Sequence, residues 1–180
     1  MREDERLIWE VKSGNKEALR SIYEQYKDRL LTVAFAMVHD AGIAEDVLHD
    51  VFVTFAAGVG HLDIRCNLRK YLVASIANRI RDIYRKKRLH AVDVDGIEVA
   101  DSRLDGPDEA VGVSERTELL SEALGQLPAE QRETIVLHIN GGMKFKEIAA
   151  MQNISTSTVQ GRYRYGLEKL RNILDGKLGT

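Results

Sequence analysis

Three side chains suited to holding a cation or gripping a basic partner stand close together in the segment AEDVLHDVFVTF: Asp46, His49 and Asp50. Their i, i+3, i+4 spacing puts two carboxylates and an imidazole on one face if the segment is helical. Such a set suits a divalent metal, and His39-Asp40 together with His49-Asp50 gives the paired His-Asp dipeptides of some metal-dependent phosphohydrolases. A metal would need further ligands from other helices, however, and His61, His90 and His138 fall in a loop, a linker and the other half of the chain. No metal and no cofactor is therefore expected. Two readings of the face stay open on residue types alone: a solvated helix side, or a docking surface for a basic partner.

A second group of polar side chains lies in ISTSTVQGRYRYGLEKLR, residues 154 to 171. At 100° per residue Val159, Tyr163, Leu167, Leu170 and Leu174 form one stripe, which must face a core. Ser157, Gly161, Arg164 and Tyr165 fall opposite, with Gln160 and Arg162 on the flanks. Gln160, Arg164 and Ser157 are able to hydrogen-bond base edges, and Arg162 and Thr158 phosphates. Gly161 removes a side chain where a backbone could approach a groove. The alternative is an amphipathic helix with a solvated polar side, which Gly161 would weaken by about 1 kcal/mol.

The third group is cationic. YLVASIANRIRDIYRKKR carries Asn78, Arg79, Arg81, Arg85, Lys86, Lys87 and Arg88. Such a run suits the backbone of a displaced strand, but it also suits a solvated helix end favoured by the macrodipole. Asp82, four residues after Asn78, is placed to tie the helix internally.

These groups need helices to present them. Leu19, Ile22, Tyr23, Tyr26 and Leu30, then Val47, Val51 and Phe55, then Leu68, Leu72, Ile76, Ile80 and Ile83 recur at helical spacing, without sustained alternation of period two. The first half is expected to be a helical bundle, with Asn67 as N-cap of its last helix. Residues 91 to 114 lack that periodicity, contain Gly96, Gly106, Pro107 and Gly112, and read as a linker. Beyond it, Pro128 opens a helix that Asn140-Gly141-Gly142 stops. The segment FKEIAAMQNISTSTVQ has the pattern of a helix-turn-helix, with Ile148 and Ala149 inward and Ser155 capping the second helix. The expected fold is all-α: a helical domain at 1–90, an acidic flexible linker at 91–114 and a helix-turn-helix domain at 115–180.

Charge follows the same division. The formal net charge is -2, yet residues 1–92 hold 16 Lys and Arg against 13 Asp and Glu, and residues 127–180 hold 8 against 5. Residues 93–126 hold 2 against 10, so an acidic middle masks two basic ends. Cys66 is the single cysteine, which excludes an internal disulfide and a thiolate-built zinc site. The charged N-terminus does not read as a signal peptide, and no apolar run approaches the roughly 20 residues of a membrane span, so a cytoplasmic location without membrane association is expected.

LPAEQRETIVLHINGGMKFKEIAAMQNISTSTVQGRYRYGLEKLR resembles region four of bacterial sigma factors in its Leu-Pro, Gln-Arg-Glu, Glu-Ile-Ala, Thr-Val and Leu-Arg features. The resemblance implies recognition of the minus-thirty-five promoter element by Gln160, Gly161, Arg164 and Tyr165, with Ser157 on the same face and Thr158 and Arg162 nearer the backbone. Gln160 departs from the pattern, in which a basic residue is usual. DVLHDVF is similar to region two of the extracytoplasmic-function group. There an acidic face grips core RNA polymerase, which implies that role for Asp46, His49, Asp50 and Phe52. His49 stands where glutamine is usual. In the same family the helix around Asn78 reads and helps melt the minus-ten element, and Tyr71 stands where tryptophan is common. The loop HLDIRCN then corresponds to the place where a flipped base is captured.

The resemblance implies a transcription initiation sigma factor with no enzymatic activity, and an anti-sigma factor among its partners. A stand-alone helix-turn-helix repressor or activator, whose first half dimerises or senses a ligand, is the alternative from another class.

Overall fold

The computed structural model describes residues 3–63, 67–92 and 115–178, without the side chains of 88–92, 115–118 and 177–178. Among the described residues there are eight α-helices and no strand: α1 (Glu3–Lys12), α2 (Lys16–Val38), α3 (Ala41–Gly58), α4 (Leu68–Val92), α5 (Glu115–Gly125), α6 (Ala129–Ile139), α7 (Phe145–Gln152) and α8 (Thr156–Leu178). A 3-10 turn, Val59–His61, follows α3. Helix α4 runs two residues into the stretch read as linker; the rest of that stretch lies outside the described residues, as do Ile64, Arg65 and Cys66 of the loop HLDIRCN.

Short polar side chains set the helix starts. Asn15 accepts from the Glu17 and Ala18 N–H groups at 3.0 and 3.4 Å, Asp40 from Ile43 at 2.8 Å, and Asn67 from Lys70 at 3.0 Å. Each satisfies donors that the first helical turn leaves without a carbonyl. Helix α2 ends at His39, which takes the left-handed conformation (φ 59°) that usually belongs to glycine or asparagine. The very next residue, Asp40, caps α3, so α2 and α3 are joined by a two-residue corner. Helix α1 is bound to α2 by buried Leu7 and Ile8 and by the Tyr26 hydroxyl, which donates to Asp4 at 2.9 Å. Burial, then that carboxylate, pushes the Tyr26 phenol above its ordinary range.

The apolar periodicity is realised as a core: Ile22, Leu30, Val47, Phe55, Leu68, Leu72 and Ile76 are at most 1% exposed. Tyr23, grouped with these by spacing, is instead 37% exposed and meets Phe52 edge-on at 4.9 Å. The same core does not stop at the first half of the chain. It takes in Val136, Leu137, Met143, Ile148, Ala149 and Val159 from α6 to α8. Gly141 is required where α6 ends against α4, since a Cβ there would stand 2.4 Å from the Leu137 carbonyl oxygen and 2.9 Å from the Val73 Cγ1. A smaller cluster, Ala123, Leu124, Leu127, Ile135 and Leu170, holds α5, α6 and α8 together.

Polar contacts stitch the same seam. The Arg69 guanidinium donates to the Asn140 carbonyl at the end of α6, where the helix dipole favours a cation. Lys70 donates to both oxygens of Glu147 at 2.7 and 2.8 Å. At the other edge, His39 stacks on Phe35 (5.3 Å between centroids) and lies 3.5 Å from the Ser121 hydroxyl of α5.

Candidate functional site

The acidic face forms as its spacing requires. Val47, Leu48 and Val51 anchor α3 in the core, which turns Asp46 and His49 to the solvent. Asp50 is less free, because its Oδ2 accepts from Arg79 Nε at 2.8 Å and Nη2 at 2.5 Å. Asp46, His49, Asp50, Arg79 and Lys87 line one shallow groove, so the acidic group and part of the cationic group, separate in sequence, are adjacent in space. No group of three or more His, Cys, Asp or Glu among the described residues is arranged to hold a metal. Phe52 is 8% exposed, with its ring between Tyr23 and Phe55. It forms part of the wall of a second, largely apolar groove between α2 and α3, with Leu19, Tyr23, Leu48 and Val53, whose lining also includes charged residues of both signs.

On α4, Leu72, Ile76 and Ile80 face the core, and Asn78, Arg85, Lys86 and Lys87 are exposed. The Arg88 side chain lies outside the described residues. Much of the remaining cationic charge is already matched. Arg79 meets Asp50, Arg81 Nη2 donates to the Asn78 side-chain oxygen Oδ1 at 2.6 Å, and Arg85 pairs with Asp82 at 3.0 Å, so Asp82 does tie the helix internally. Arg81 also approaches Glu133 of α6.

The second helix of the helix-turn-helix is presented differently. Helix α7 begins where the Glu147 carboxylate accepts from the Lys144 N–H at 2.6 Å, and ends at Asn153 in the left-handed conformation. Ser155 then accepts from the Thr158 N–H at 3.1 Å, and its hydroxyl sits 2.8 Å from those of Ser157 and Thr158. Val159 and Leu170 are buried, and Ser157, Thr158, Gln160, Arg164 and Tyr165 are exposed. Arg164 lies over the Tyr165 ring at 4.9 Å. A Cβ at Gly161 would meet nothing within 4 Å, so no internal packing requires a glycine there. Arg162 is drawn partly inward, donating to Gln152 at 3.2 Å.

Three titratable residues outside the proposed binding faces matter to this geometry. Burial pushes the Glu133 carboxyl above the usual range, against the opposing pull of Arg81, Gln152 and Arg162. The Lys70 ammonium and the Lys144 N–H hold Glu147 below it. Burial, then the Arg132 charge, lowers His39 below the ordinary imidazole value, with Glu122 opposing.

Residues 22–90 match the sigma-70 region 2 family and residues 111–170 the sigma-70 region 4 family. The chain is 30% identical over 179 residues to the ECF RNA polymerase sigma factor SigW of Bacillus subtilis, covering 93% of this chain and 94% of that one. It is 29% identical over 163 residues to the RNA polymerase sigma factor CarQ of Myxococcus xanthus, covering 91% and 92%. Among solved structures it is similar to CnrH in complex with the cytosolic domain of CnrY, with a TM-score of 0.66 and 26% identity over 96% of this chain and 97% of that one. The fold also matches that of the sigma factor RpoE from Bartonella quintana, in complex with the anti-sigma factor NepR, with a TM-score of 0.68 and 22% identity over 87% and 98%. A region 2 match across the first half does not favour a stand-alone repressor or activator. The chain belongs to the extracytoplasmic-function group of RNA polymerase sigma factors, which direct the polymerase to promoters.

Proposed function

We propose that this sigma factor divides its work among the three surfaces described. Residues 1–90 form the module that docks on core RNA polymerase and handles the minus-ten element, 91–114 tether it, and 115–180 form the module that reads the minus-thirty-five element. Asp46, His49 and Asp50 supply the polymerase contact, and Phe52 supports it from beneath, at the wall of the adjoining apolar groove. Asn78, Arg79, Arg81, Arg85, Lys86 and Arg88 take the minus-ten strand. Ser157, Thr158, Gln160, Gly161, Arg162, Arg164 and Tyr165 take the minus-thirty-five duplex.

The observation that carries this reading is the exposed face of α8. Hydrogen-bond donors and acceptors stand on a helix whose opposite side is locked in the core, and a glycine with open space above it lies in their midst. Such a rigid polar face fits a major groove. Opening the duplex at the minus-ten element costs stacking energy, which cations and polar groups on α4 would offset by holding the displaced strand.

The factor has no catalytic activity of its own; phosphodiester chemistry is the polymerase's. It works in the cytoplasm and is restrained by an anti-sigma factor, a reading supported by the two similar structures, which are complexes with CnrY and NepR. The test is transcription in vitro with sigma-free core polymerase on a pool of genomic promoters. Wild type should generate new transcripts, and Asp46→Ala/Asp50→Ala should lose them while keeping its helical content. Transcription by the double variant at the wild-type level would remove the polymerase contact from α3.

A further inference from the structure

Asn78 and Arg81 stand three apart on α4, so their side chains meet on one face of the helix. Arg81 Nη2 lies 2.6 Å from Asn78 Oδ1. A guanidinium only donates, so the atom facing it must be the amide oxygen; the amide nitrogen there would set donor against donor. The contact therefore fixes which way the Asn78 amide points. Its Nδ2 is turned away from Arg81, on a residue that is exposed along the same helix as Arg85, Lys86 and Lys87.

The neighbouring cations are engaged elsewhere, Arg79 by Asp50 and Arg85 by Asp82. In the closed arrangement of α4 on α6, Glu133 Oε1 stands 3.1 Å from Arg81 Nε, while Nη2 is the atom on Asn78. The Asn78 contact lies within α4 itself and needs nothing from α6.

An amide with oxygen and nitrogen both free spans adenine, accepting from the amino group and donating to a ring nitrogen. Once its oxygen is drawn on by a cation, it accepts a second hydrogen bond less well and offers chiefly its two N–H groups. Guanine presents O6 and N7 as acceptors and thymine presents O4, whereas adenine and cytosine present amino donors. In a melted strand these edges are open to the protein.

We infer that Arg81 is a positioning residue for base choice: it holds the Asn78 oxygen, so that Asn78 meets the minus-ten strand as a donor and selects guanine or thymine over adenine and cytosine at one position. This rests on the assignment of α4 to that strand. Arg81 then serves the strand through Asn78, by geometry as well as by charge.

The test uses the full chain with core polymerase and a promoter taken from the transcription pool, its minus-ten element randomised. Sequencing the DNA held in heparin-resistant complexes gives the base preference at each position, separately from the overall yield. Wild type should favour guanine or thymine roughly three- to tenfold at one position, the size of one net hydrogen bond. Asn78→Ala should level that position. Arg81→Ala should raise adenine there, because the freed amide regains both its groups, and Arg81→Met, which keeps the stem without the donors, should do the same. Arg81→Lys still donates from the same turn and should keep the wild-type order. If Arg81→Ala and Arg81→Met lower the yield on all sequences alike and leave the order unchanged, the inference is overturned and Arg81 is a backbone cation. A wild-type preference for adenine or cytosine at the position that Asn78→Ala levels would overturn it as well. Should Asn78→Ala alter no position, the assignment of α4 to the strand falls first, and the inference with it. Because the readout is an order of bases, a variant that folds less well lowers the yield without imitating the expected result.

Discussion

Helices α4 and α8 each put a core stripe on one side and polar groups on the other, but they stand in different states. On α8 the groups facing outward are exposed, and their hydroxyls serve the helix's own cap. On α4, Arg79, Arg81 and Arg85 are each matched by a carboxylate, two of them from other helices. On the proposed assignment, helix α8 meets a duplex that is still paired. Helix α4 is assigned to a strand that exists only after the duplex opens, so nothing is lost by keeping its cations neutralised until then. One face is preformed; the other must be released.

The most disruptive way to break this comparison is through the shared core. Leu137 is fully buried in the cluster that spans both modules, so Leu137→Ala should cost about 2–5 kcal/mol. Because the cluster is continuous, chemical denaturation followed by circular dichroism should show one transition moved to lower denaturant. Two separate transitions, with only the later helices affected, would mean that the modules fold independently.

Next in size is the contrast between the two sets of arginines. Arg164 is exposed on the reading face, so Arg164→Ala should weaken binding of promoter duplex by the free factor by about 1–3 kcal/mol if it reads a base edge. Arg81→Ala should leave that binding unchanged, since Arg81 is already engaged, yet lower transcription with polymerase. Equal losses in both assays for both variants would erase the distinction between the faces.

Gly161 sharpens the α8 side. An added methyl meets nothing within 4 Å, so Gly161→Ala should raise stability by up to about 1 kcal/mol. Duplex affinity should nevertheless fall, because the methyl would stand where the backbone approaches the groove. A thermal melt and a gel-shift titration give the two signs, and a gain in stability without a loss of binding would show that no close approach occurs there.

The smallest expected effect is pH dependence of the closed arrangement. His39 is stacked on Phe35 of its own helix, lies beside the Ser121 hydroxyl of α5 and feels the charges of Arg132 on α6 and Glu122 on α5, and burial followed by Arg132 lowers its pKa. The closed chain then binds fewer protons than the open one. Its stabilisation from His39 is fully present above the ordinary imidazole value, about 6.5, and is lost as pH falls from there through the lowered one. Glu133 acts with the opposite sign: its carboxyl is raised, so protonation at low pH favours the buried position. Scattering between pH 8 and 5.5 should show expansion on acidification. His39→Asn should abolish it, since asparagine tolerates the left-handed cap but does not titrate. Expansion that persists in this variant would place the proton elsewhere.

Much of this molecule follows from local rules. Asn67 and Ser155 cap the helices that spacing predicts, and Pro128 and Gly141-Gly142 bracket α6. Val159 and Leu170 fall on the buried stripe. A cap needs only residues two or three apart, and a stripe only the angle of the helix, so both are written in short windows of sequence. The grouping of Asp46, His49 and Asp50 on one face follows for the same reason.

Tertiary structure decided the rest. Nothing in the order of residues pairs Asp50 with Arg79, Lys70 with Glu147 or Arg81 with Glu133, separated by 29, 77 and 52 positions. Glu133 reads locally as one more charge near the start of a helix, and Phe52 as one more residue of an acidic segment. Only packing buries the first beside Arg81 and places the second between Tyr23 and Phe55. Sequence alone determined which faces exist, because helical geometry repeats every few residues. Which faces are open and which are covered depends on how whole helices meet, and that is set by contacts between distant residues.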